Sequence, residues 1–281
     1  ILPMLFLVIA VCIPFAWQKL IPMDLVDFSK SALSAMGFGS NFFFYYASTE
    51  YGAESAFLKP LLHTWSLGVE EQFYIVIPII ILLIWKFART SLLILLIGMM
   101  LMSVQFADVM KVSNSELNFF LPFSRFWELL VGSVLAFIEL KYGRTKKSLL
   151  TQTLPIFGLS LIVYSVLFFS SNTPHPNFHT LIPILGVALI LAFCSTEDFV
   201  GKLLSFKPMV GVGLISYSLY LWHFPIFAFL RYNSFGTSIY EKSIYEKIFW
   251  SLAILVLSIC SYFLIEKPSR NRKIVKGKLF F

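Results

Sequence analysis

Apolar runs long enough to form helices alternate with short polar connections along almost the whole chain. A helix needs about 20 mostly apolar residues to cross the hydrocarbon core of a bilayer. We count nine apolar segments, at residues 1–17, 31–47, 66–85, 91–107, 121–140, 149–170, 178–195, 208–230 and 248–265. The pattern predicts an all-α fold, a polytopic membrane helical bundle of about nine segments, with residues 1–265 as one membrane domain.

Two parts of this pattern are irregular. The second segment contains Gly37, Gly39 and Asn41, and we expect it either to span or to be re-entrant, since interrupted backbone occurs in membranes where protein or water surrounds it. Residues 266–281 form a basic tail, a possible linker to a further domain.

Composition supports a membrane protein. The 281 residues are 58% hydrophobic and 13% charged, which is too apolar for a soluble domain of this size. The formal net charge of +7 is typical of Lys and Arg beside membrane spans, and we expect no nucleic-acid partner. The three cysteines lie in apolar runs, so we expect them to be small buried hydrophobic residues rather than partners in disulfides. His175 and His179 lack nearby carboxylates or thiols in sequence, so we expect no metal site.

The first polar cluster lies at the start of the third segment. To span, this helix must begin near Ser66, which brings Glu70 and Glu71 about one turn inside the membrane boundary. A carboxylate there costs about 2–3 kcal/mol unless it is paired or faces water, and such residues usually carry function. The alternative is a helix capped by Ser66 whose acids lie in headgroup water.

The second cluster opens the fifth segment. Arg125 and Glu128 are three residues apart and can pair on one helix face. One interpretation is an arginine that reaches the interface beside a local partner. The other is an arginine that binds an anionic group of a substrate, such as a coenzyme A phosphate or a carboxylate.

The third cluster lies in the eighth segment, where Ser216, Tyr220 and His223 share one helix face beside Tyr217. Ser216 and His223 are about 10 Å apart along the axis, too far for the histidine to activate the serine directly. The pattern indicates either a substrate-binding face or an interfacial aromatic belt with a hydrogen-bonded histidine.

Four stretches together resemble a known family. HTWSLGVEEQFYIVIP, LPFSRFWELLVGSVLA, ISYSLYLWHFPI and SYFLIEKPSR are similar, in order and spacing, to the integral-membrane proteins called acyltransferase family 3, which include bacterial O-antigen and other surface-polysaccharide O-acetyltransferases. The closing IEKPSR resembles the variants that carry an additional SGNH-hydrolase-like domain. The resemblance covers nearly the whole chain.

The resemblance implies an enzyme of the bacterial inner (cytoplasmic) membrane that crosses it several times. It would transfer an acyl group, most simply acetyl, from acyl-CoA to a hydroxyl of a surface glycan, lipopolysaccharide or lipid-linked saccharide, with no permanently bound cofactor. Family members begin with a span that carries an arginine and then a histidine taken to be catalytic. No arginine precedes Arg89 and no histidine precedes His63, so we expect those first spans to be missing and the fragment alone to be inactive.

Residues at positions that match the family's motifs are the site candidates. They are catalytic His63, Glu70 and Glu71, and substrate-binding Trp65, Ser66, Arg125, Glu128, Ser216, Tyr217 and His223. We expect the three clusters to share one cavity, since charges buried in a membrane must pair or reach water. The alternative function is a proton-coupled transporter or flippase, which would predict inverted repeats that we do not find in the sequence.

Overall fold

The computed structural model describes residues 1–49, 56–144, 149–170, 173, 175–233 and 243–270. Thirteen α-helices occur in these ranges: α1 (Leu2–Lys19), α2 (Pro22–Met36), α3 (Ser40–Thr49), α4 (Thr64–Ala88), α5 (Leu92–Ser113), α6 (Ser115–Phe120), α7 (Pro122–Tyr142), α8 (Leu149–Phe168), α9 (Leu181–Phe193), α10 (Phe199–Leu204), α11 (Lys207–Asn233), α12 (Ile244–Ser261) and α13 (Lys267–Arg270). A π-helical turn, Tyr262–Glu266, joins α12 to α13. Most of the predicted tail, residues 271–281, lies outside the described ranges.

Seven helices in the described ranges are long and apolar enough to cross a membrane, which confirms the predicted all-α membrane bundle. They are Leu2–Lys19, Thr64–Phe87, Leu92–Ser113, Ser115–Tyr142, Thr151–Phe168, Lys207–Tyr232 and Ile244–Arg270. The predicted count of about nine is not confirmed, because the segments at 31–47 and 178–195 do not form spans of that length.

The segment at 31–47 is interrupted where α2 ends in a Schellman motif. Phe38 has a left-handed φ of 57°, its N–H donates to the carbonyl of Ala35, and the N–H of Gly39 donates to the carbonyl of Ser34. The last carbonyls of α2 are thereby satisfied without another helical turn. The chain then starts the separate helix α3 at Ser40.

The segment at 178–195 is shortened at its beginning. Asn177 caps a 3₁₀ turn through a reciprocal pair of hydrogen bonds with the backbone and side chain of Thr180. The α-helix that follows has 13 residues, or about 20 Å, which falls short of a bilayer core of about 30 Å.

The first of two compact units comprises residues 1–68 and 211–281. In its described part, α1 packs on α2 and on the π-helical turn, and α2 packs on α3. Met4, Val8, Cys12 and Ala16 form the buried stripe of α1 at helical spacing. Cys12 is buried as predicted, whereas Cys260 is exposed on α12.

The second compact unit comprises residues 69–210. Helices α5 and α7 pack together, and the Ser103 hydroxyl joins them by donating to the carbonyl of Phe123 and accepting from the N–H of Trp127. Helices α8 and α9 approach most closely at Gly158 and Gly186. A Cβ on either glycine would lie 2.6 Å from the other's carbonyl oxygen, the close backbone contact that small residues permit in membranes.

Candidate functional site

The polar groups at the start of α4 belong to the first unit and hold a tyrosine of α11. The helix begins at Thr64, so Ser66 lies within its first turn, and the expectation that Ser66 is the N-cap is wrong. The Ser66 hydroxyl instead lies 2.9 Å from the hydroxyl of Tyr220. Tyr220 donates a short hydrogen bond to the backbone carbonyl of His63. Two polar contacts thus fix the tyrosine ring beside His63.

The His63 side chain is enclosed by three rings of α11, those of Tyr220, His223 and Phe224. We call these three residues together with His63 the imidazole cluster. Ring centroids lie 5.0 Å from Tyr220, 5.6 Å from His223 and 5.4 Å from Phe224, the last nearly parallel. His63 is only 6% exposed. Both of its ring nitrogens are buried and have no hydrogen-bond partner among the described residues.

Burial sets the charge of His63, which precedes the first residue of the spanning helix. Removal from water, and secondarily the charge that His223 can carry, lowers the pKa of His63 to about 3. The ring is therefore neutral at ordinary pH, with one N–H donor and one lone pair.

The orientation of His223 is set by its own helix. Its Nδ1 lies 2.6 Å from the carbonyl oxygen of Tyr220. A carbonyl can only accept, so Nδ1 carries the proton and Nε2 holds the lone pair of the neutral ring. The helix therefore presents Nε2 as the available basic nitrogen.

Helix α11 is held from its other side by residues at the end of α12. The Ser218 hydroxyl donates to Glu266 Oε2 at 2.5 Å, and Trp222 Nε1 donates to the hydroxyl of Ser261 at 3.1 Å. Glu266 Oε1 lies 2.7 Å from a guanidinium nitrogen of Arg270. We call Ser218 and Glu266, with their flanking partners Trp222, Ser261 and Arg270, the α11 clamp.

Ser218 and Glu266 are not among the site candidates that the sequence predicts. Glu266 follows directly after an apolar run, and a carboxylate at the edge of a span was the available signal. Ser218 gave no signal, because serines inside spanning helices commonly bond their own backbone. Its contact with Glu266 depends on the π-helical turn, which periodicity does not reveal.

Three other candidates of the first unit lie apart from the His63 ring contacts. Ser216 is exposed and donates to the carbonyl of Gly213 in its own helix. Tyr217 donates to the carbonyl of Ile1 at 2.9 Å, which ties α11 to the beginning of α1. Trp65 is half-buried in the first turn of α4. The shared face predicted for Ser216, Tyr220 and His223 thus brings only the latter two to His63 among the described contacts.

Arg125 and Glu128 lie in the second unit and form the ion pair that their spacing predicts. Arg125 Nη1 is 3.6 Å from Glu128 Oε1, and the side chains are 13% and 23% exposed. Arg125 Nε also donates to the carbonyl of Phe119 at 2.8 Å, and the guanidinium lies over the Phe119 ring. These contacts fix the arginine within the protein.

Glu70 and Glu71 also lie in the second unit. Glu70 is exposed, whereas Glu71 is half-buried, and one of its oxygens is enclosed without a hydrogen-bond partner in the described part of the chain. Glu128 and Tyr74 line a cavity of about 400 Å³ whose other walls are mainly apolar side chains of α7 and α9. The hypothesis of one cavity for all three clusters joins residues of both units and stays a prediction.

Comparison with known proteins decides the family. A model of the acyltransferase domain matches residues 1–267. The chain belongs to this acyltransferase family. The match confirms the resemblance and the class of enzyme that it implies, one that transfers acyl groups other than aminoacyl groups, and it favours this class over the transporter alternative.

Two curated relatives of this acyltransferase domain are O-acetyltransferases. The chain is 27% identical over 263 residues to peptidoglycan O-acetyltransferase OatA of Listeria monocytogenes and 30% identical over 263 residues to O-acetyltransferase OatA of Staphylococcus aureus. Each alignment covers 89% of this chain, but only 42% and 43% of the relatives' own lengths. No solved structure matches. Because the alignments cover less than half of the relatives, the activity of the whole protein is a matter of proposal.

Proposed function

We propose that the protein transfers an acetyl group from an acyl thioester, most simply acetyl-CoA, to a hydroxyl of a bacterial cell-surface glycan. The observation that carries this proposal is the acyltransferase match over residues 1–267, together with relatives named as O-acetyltransferases. One relative's name specifies peptidoglycan, which makes peptidoglycan the first acceptor to test. Lipopolysaccharide and lipid-linked saccharides are the alternative acceptors. The location that fits such a reaction is the cytoplasmic membrane.

The chemistry needs a base and a donor for developing charge. A sugar hydroxyl is a weak nucleophile until a base removes its proton. The carbonyl oxygen of the thioester gains negative charge during attack and is stabilised by preorganised N–H or O–H donors in a dry site. The imidazole cluster supplies a group of the second kind, the N–H of the buried and neutral His63 ring.

Glu70 and Glu71 are the groups we assign to acceptor binding. Carboxylates accept hydrogen bonds from sugar hydroxyls. A charged side chain within a spanning helix costs free energy unless it is paired or faces water, and such residues usually carry function. The buried oxygen of Glu71 supports this role, since an unsatisfied carboxylate oxygen in a protein interior is expensive.

The test measures acetate on cell-wall glycans. The full-length protein is expressed in a bacterium that lacks its own wall O-acetyltransferase, and base-labile acetate is determined by mass spectrometry in separate peptidoglycan and lipopolysaccharide fractions. We expect new acetate in peptidoglycan. Acetate in the other fraction alone would reassign the acceptor, and its absence from every glycan would refute the proposal.

The two carboxylates are tested in the same cells. Glu70→Gln and Glu71→Gln should reduce acetylation strongly while the protein still reaches the membrane, because the amide keeps the shape but loses the charge. Glu116→Gln, the same change at an exposed position of α6, is the control and should have no effect. Normal acetylation in both variants would contradict the assigned role.

A further inference from the structure

The cavity beside Glu128 and Tyr74 is formed within the second unit, to which all of its described lining residues belong. Its volume is about 400 Å³, within the range of pockets that hold small ligands. On α9, Val187 and Leu191 are one turn apart and form part of an apolar wall. On α7, Gly132 leaves room, since a Cβ built there would meet no atom within 4 Å. The cavity is thus open space along two helices, large enough for a ligand.

The cavity has a polar end and an apolar run. The rings of Phe73 on α4 and Phe126 on α7 pack with their centroids 5.3 Å apart. Tyr74 and Glu128, which follow closely on these rings, therefore lie at the same level of the two helices. From Glu128 to Ala136, the last lining residue of α7, the helix extends eight positions, or about 12 Å. The ligand that fits is amphipathic, with a polar group at Glu128 and an apolar chain along α7.

Helix α9 begins at this same end of the cavity. The side chain of Asn118, in α6 just before α7, donates to the carbonyl of Pro176 at 3.1 Å. Pro176 in turn precedes the 3₁₀ turn that leads into α9. The polar end thus lies where α7 and α9 both start, and the walls become apolar as the two helices run on.

The open side of the cavity faces the hydrocarbon of a bilayer. Helices α4 and α7 belong to stretches that are long and apolar enough to cross a membrane, and residues 129–138 of α7 carry no charge. Val187 and Leu191 are 44% and 57% exposed, so the cavity opens along α9. At that depth the neighbours are acyl chains rather than water. The apolar run is therefore accessible to the chain of a bilayer lipid.

The charges at the polar end select the headgroup of that lipid. With a net charge of +7, the chain as a whole attracts anionic lipids. At the polar end, however, Glu70 and Glu71 lie one turn before Tyr74 on the same helix, and the guanidinium of Arg125 offsets only the carboxylate of Glu128, 3.6 Å away. The local charge is therefore negative. It favours an ammonium group, which a carboxylate binds through short, charge-assisted hydrogen bonds.

We propose that the cavity binds a bilayer lipid whose headgroup carries a primary ammonium, with the ammonium between Glu128 and Tyr74 and one acyl chain along α7 and α9. The ammonium donates to the carboxylate of Glu128 and to the hydroxyl oxygen of Tyr74. The acyl chain fills the space beside Gly132. Such a site is independent of acyl transfer, since no bond of the lipid is made or broken.

The experiment compares three synthetic phospholipids with identical acyl chains. The full-length protein is purified in detergent, and native mass spectrometry determines its affinity for phosphatidylethanolamine, phosphatidylcholine and phosphatidylglycerol. Phosphatidylcholine keeps the positive charge but has no N–H donor, and phosphatidylglycerol is anionic. We expect phosphatidylethanolamine to bind about 3- to 10-fold more tightly than the other two, the range that polar contacts give in membranes. Equal affinity for all three lipids, or tightest binding of phosphatidylglycerol, would overturn the proposal.

Filling the cavity tests its location. Gly132→Leu places a side chain in the open space and should abolish the preference for phosphatidylethanolamine. Ala136→Leu, further along α7, fills the same run and serves as a second variant. Gly98→Leu makes the matched change on α5, where a Cβ also meets open space, and should keep the preference. An unchanged preference in both α7 variants would place the lipid elsewhere and contradict the assignment.

Changes at the polar end test the headgroup contact. Tyr74→Phe removes the hydroxyl of a side chain that is 53% exposed and should weaken the preference without loss of folding. Glu128→Gln removes the charge and should eliminate the preference, whereas Glu116→Gln, at an exposed position of α6, should leave it intact. The Tm of each variant without added lipid reports whether it is folded. A preference that persists in Tyr74→Phe and in Glu128→Gln would show that these groups do not hold the ammonium.

Discussion

The hydrogen bond between Ser218 and Glu266 should be worth more to stability than the ion pair between Glu266 and Arg270. Ser218 is fully buried and Glu266 is 4% exposed, whereas the Arg270 side chain is 62% exposed. Water competes with the second contact and not with the first. The perturbations are Ser218→Ala, Arg270→Ala and Glu266→Gln, singly and in pairs.

The structure sets the expected magnitudes. A hydrogen bond to a charged group contributes about 1.5–3 kcal/mol in soluble proteins, while couplings between helices in a membrane average about 0.6 kcal/mol and reach about 1.7 kcal/mol. For a 2.5 Å contact to a buried carboxylate we expect a coupling of about 1.5 kcal/mol between Ser218 and Glu266. An ion pair with one solvent-exposed partner, here Arg270, is closer to a surface ion pair, which is worth about 0.2–1 kcal/mol.

The assay is reversible unfolding in mixed detergent micelles by titration with sodium dodecyl sulfate. The free energy of unfolding is obtained for the wild type, each single variant and each double variant, and the two double-mutant cycles are compared. Ser29→Ala combined with Glu266→Gln is the control cycle, since the Ser29 hydroxyl bonds the carbonyl of Leu25 within its own helix.

Additive effects would refute this reasoning. If the Ser218–Glu266 cycle closes within about 0.3 kcal/mol, the limit of ordinary additivity, the contact does not hold α11 in place. A larger coupling for Arg270 than for Ser218 would show that the exposed charge, and not the buried hydroxyl, controls the position of Glu266.

Three further predictions concern other contacts. The pKa of His63 is lowered from 6.5 to about 3, so between these pH values the unfolded chain binds a proton at His63 that the folded protein does not bind. The contribution of His63 to the free energy of unfolding is therefore complete above pH 6.5 and falls as the pH drops towards 3, by up to about 1.4 kcal/mol per pH unit. In unfolding titrations, His63→Phe should lack this pH-dependent component. Arg125→Ala should lower the free energy of unfolding by about 1–3 kcal/mol and leave the KM for acetyl-CoA unchanged, because the guanidinium is fixed inside the protein; a raised KM would support binding of coenzyme A phosphates instead. Gly201→Ala should cost about 2–3 kcal/mol, since its Cβ would lie 1.8 Å from the carbonyl oxygen of Ser195, whereas Gly98→Ala meets open space and should be neutral or slightly stabilising; equal thermal stability of the two variants would contradict this.

The helices were largely predictable because apolar runs in a membrane are long and have few alternatives. The two predicted segments that do not form spans are interrupted or shortened by hydrogen bonds that do not depend on hydropathy. The segment at 31–47 contains two glycines, yet the left-handed residue that ends the helix is Phe38, which only the backbone reveals. The shortening at 178 depends on the side chain of Asn177, a local cap inside an apolar context.

The candidate site was predictable only where polar residues share one helix. The pair Arg125–Glu128 followed directly from its spacing. The contacts of His63 with Tyr220 and of Ser218 with Glu266 join residues 157 and 48 positions apart. Periodicity along a single helix cannot specify which face of another helix it meets, so these contacts required the structure.

The π-helical turn at Tyr262–Glu266 changes the phase of the helix that contains it. An i→i+5 turn accommodates one residue more than an α-helical turn, so residues after it lie about 100° from where regular winding would place them. A relative with one residue fewer here would present a different side chain to α11, even if every other position aligned. Relatives should therefore be compared at this helix end by the number of residues in the turn rather than by sequence identity. A single deletion there would turn the carboxylate of Glu266 away from Ser218.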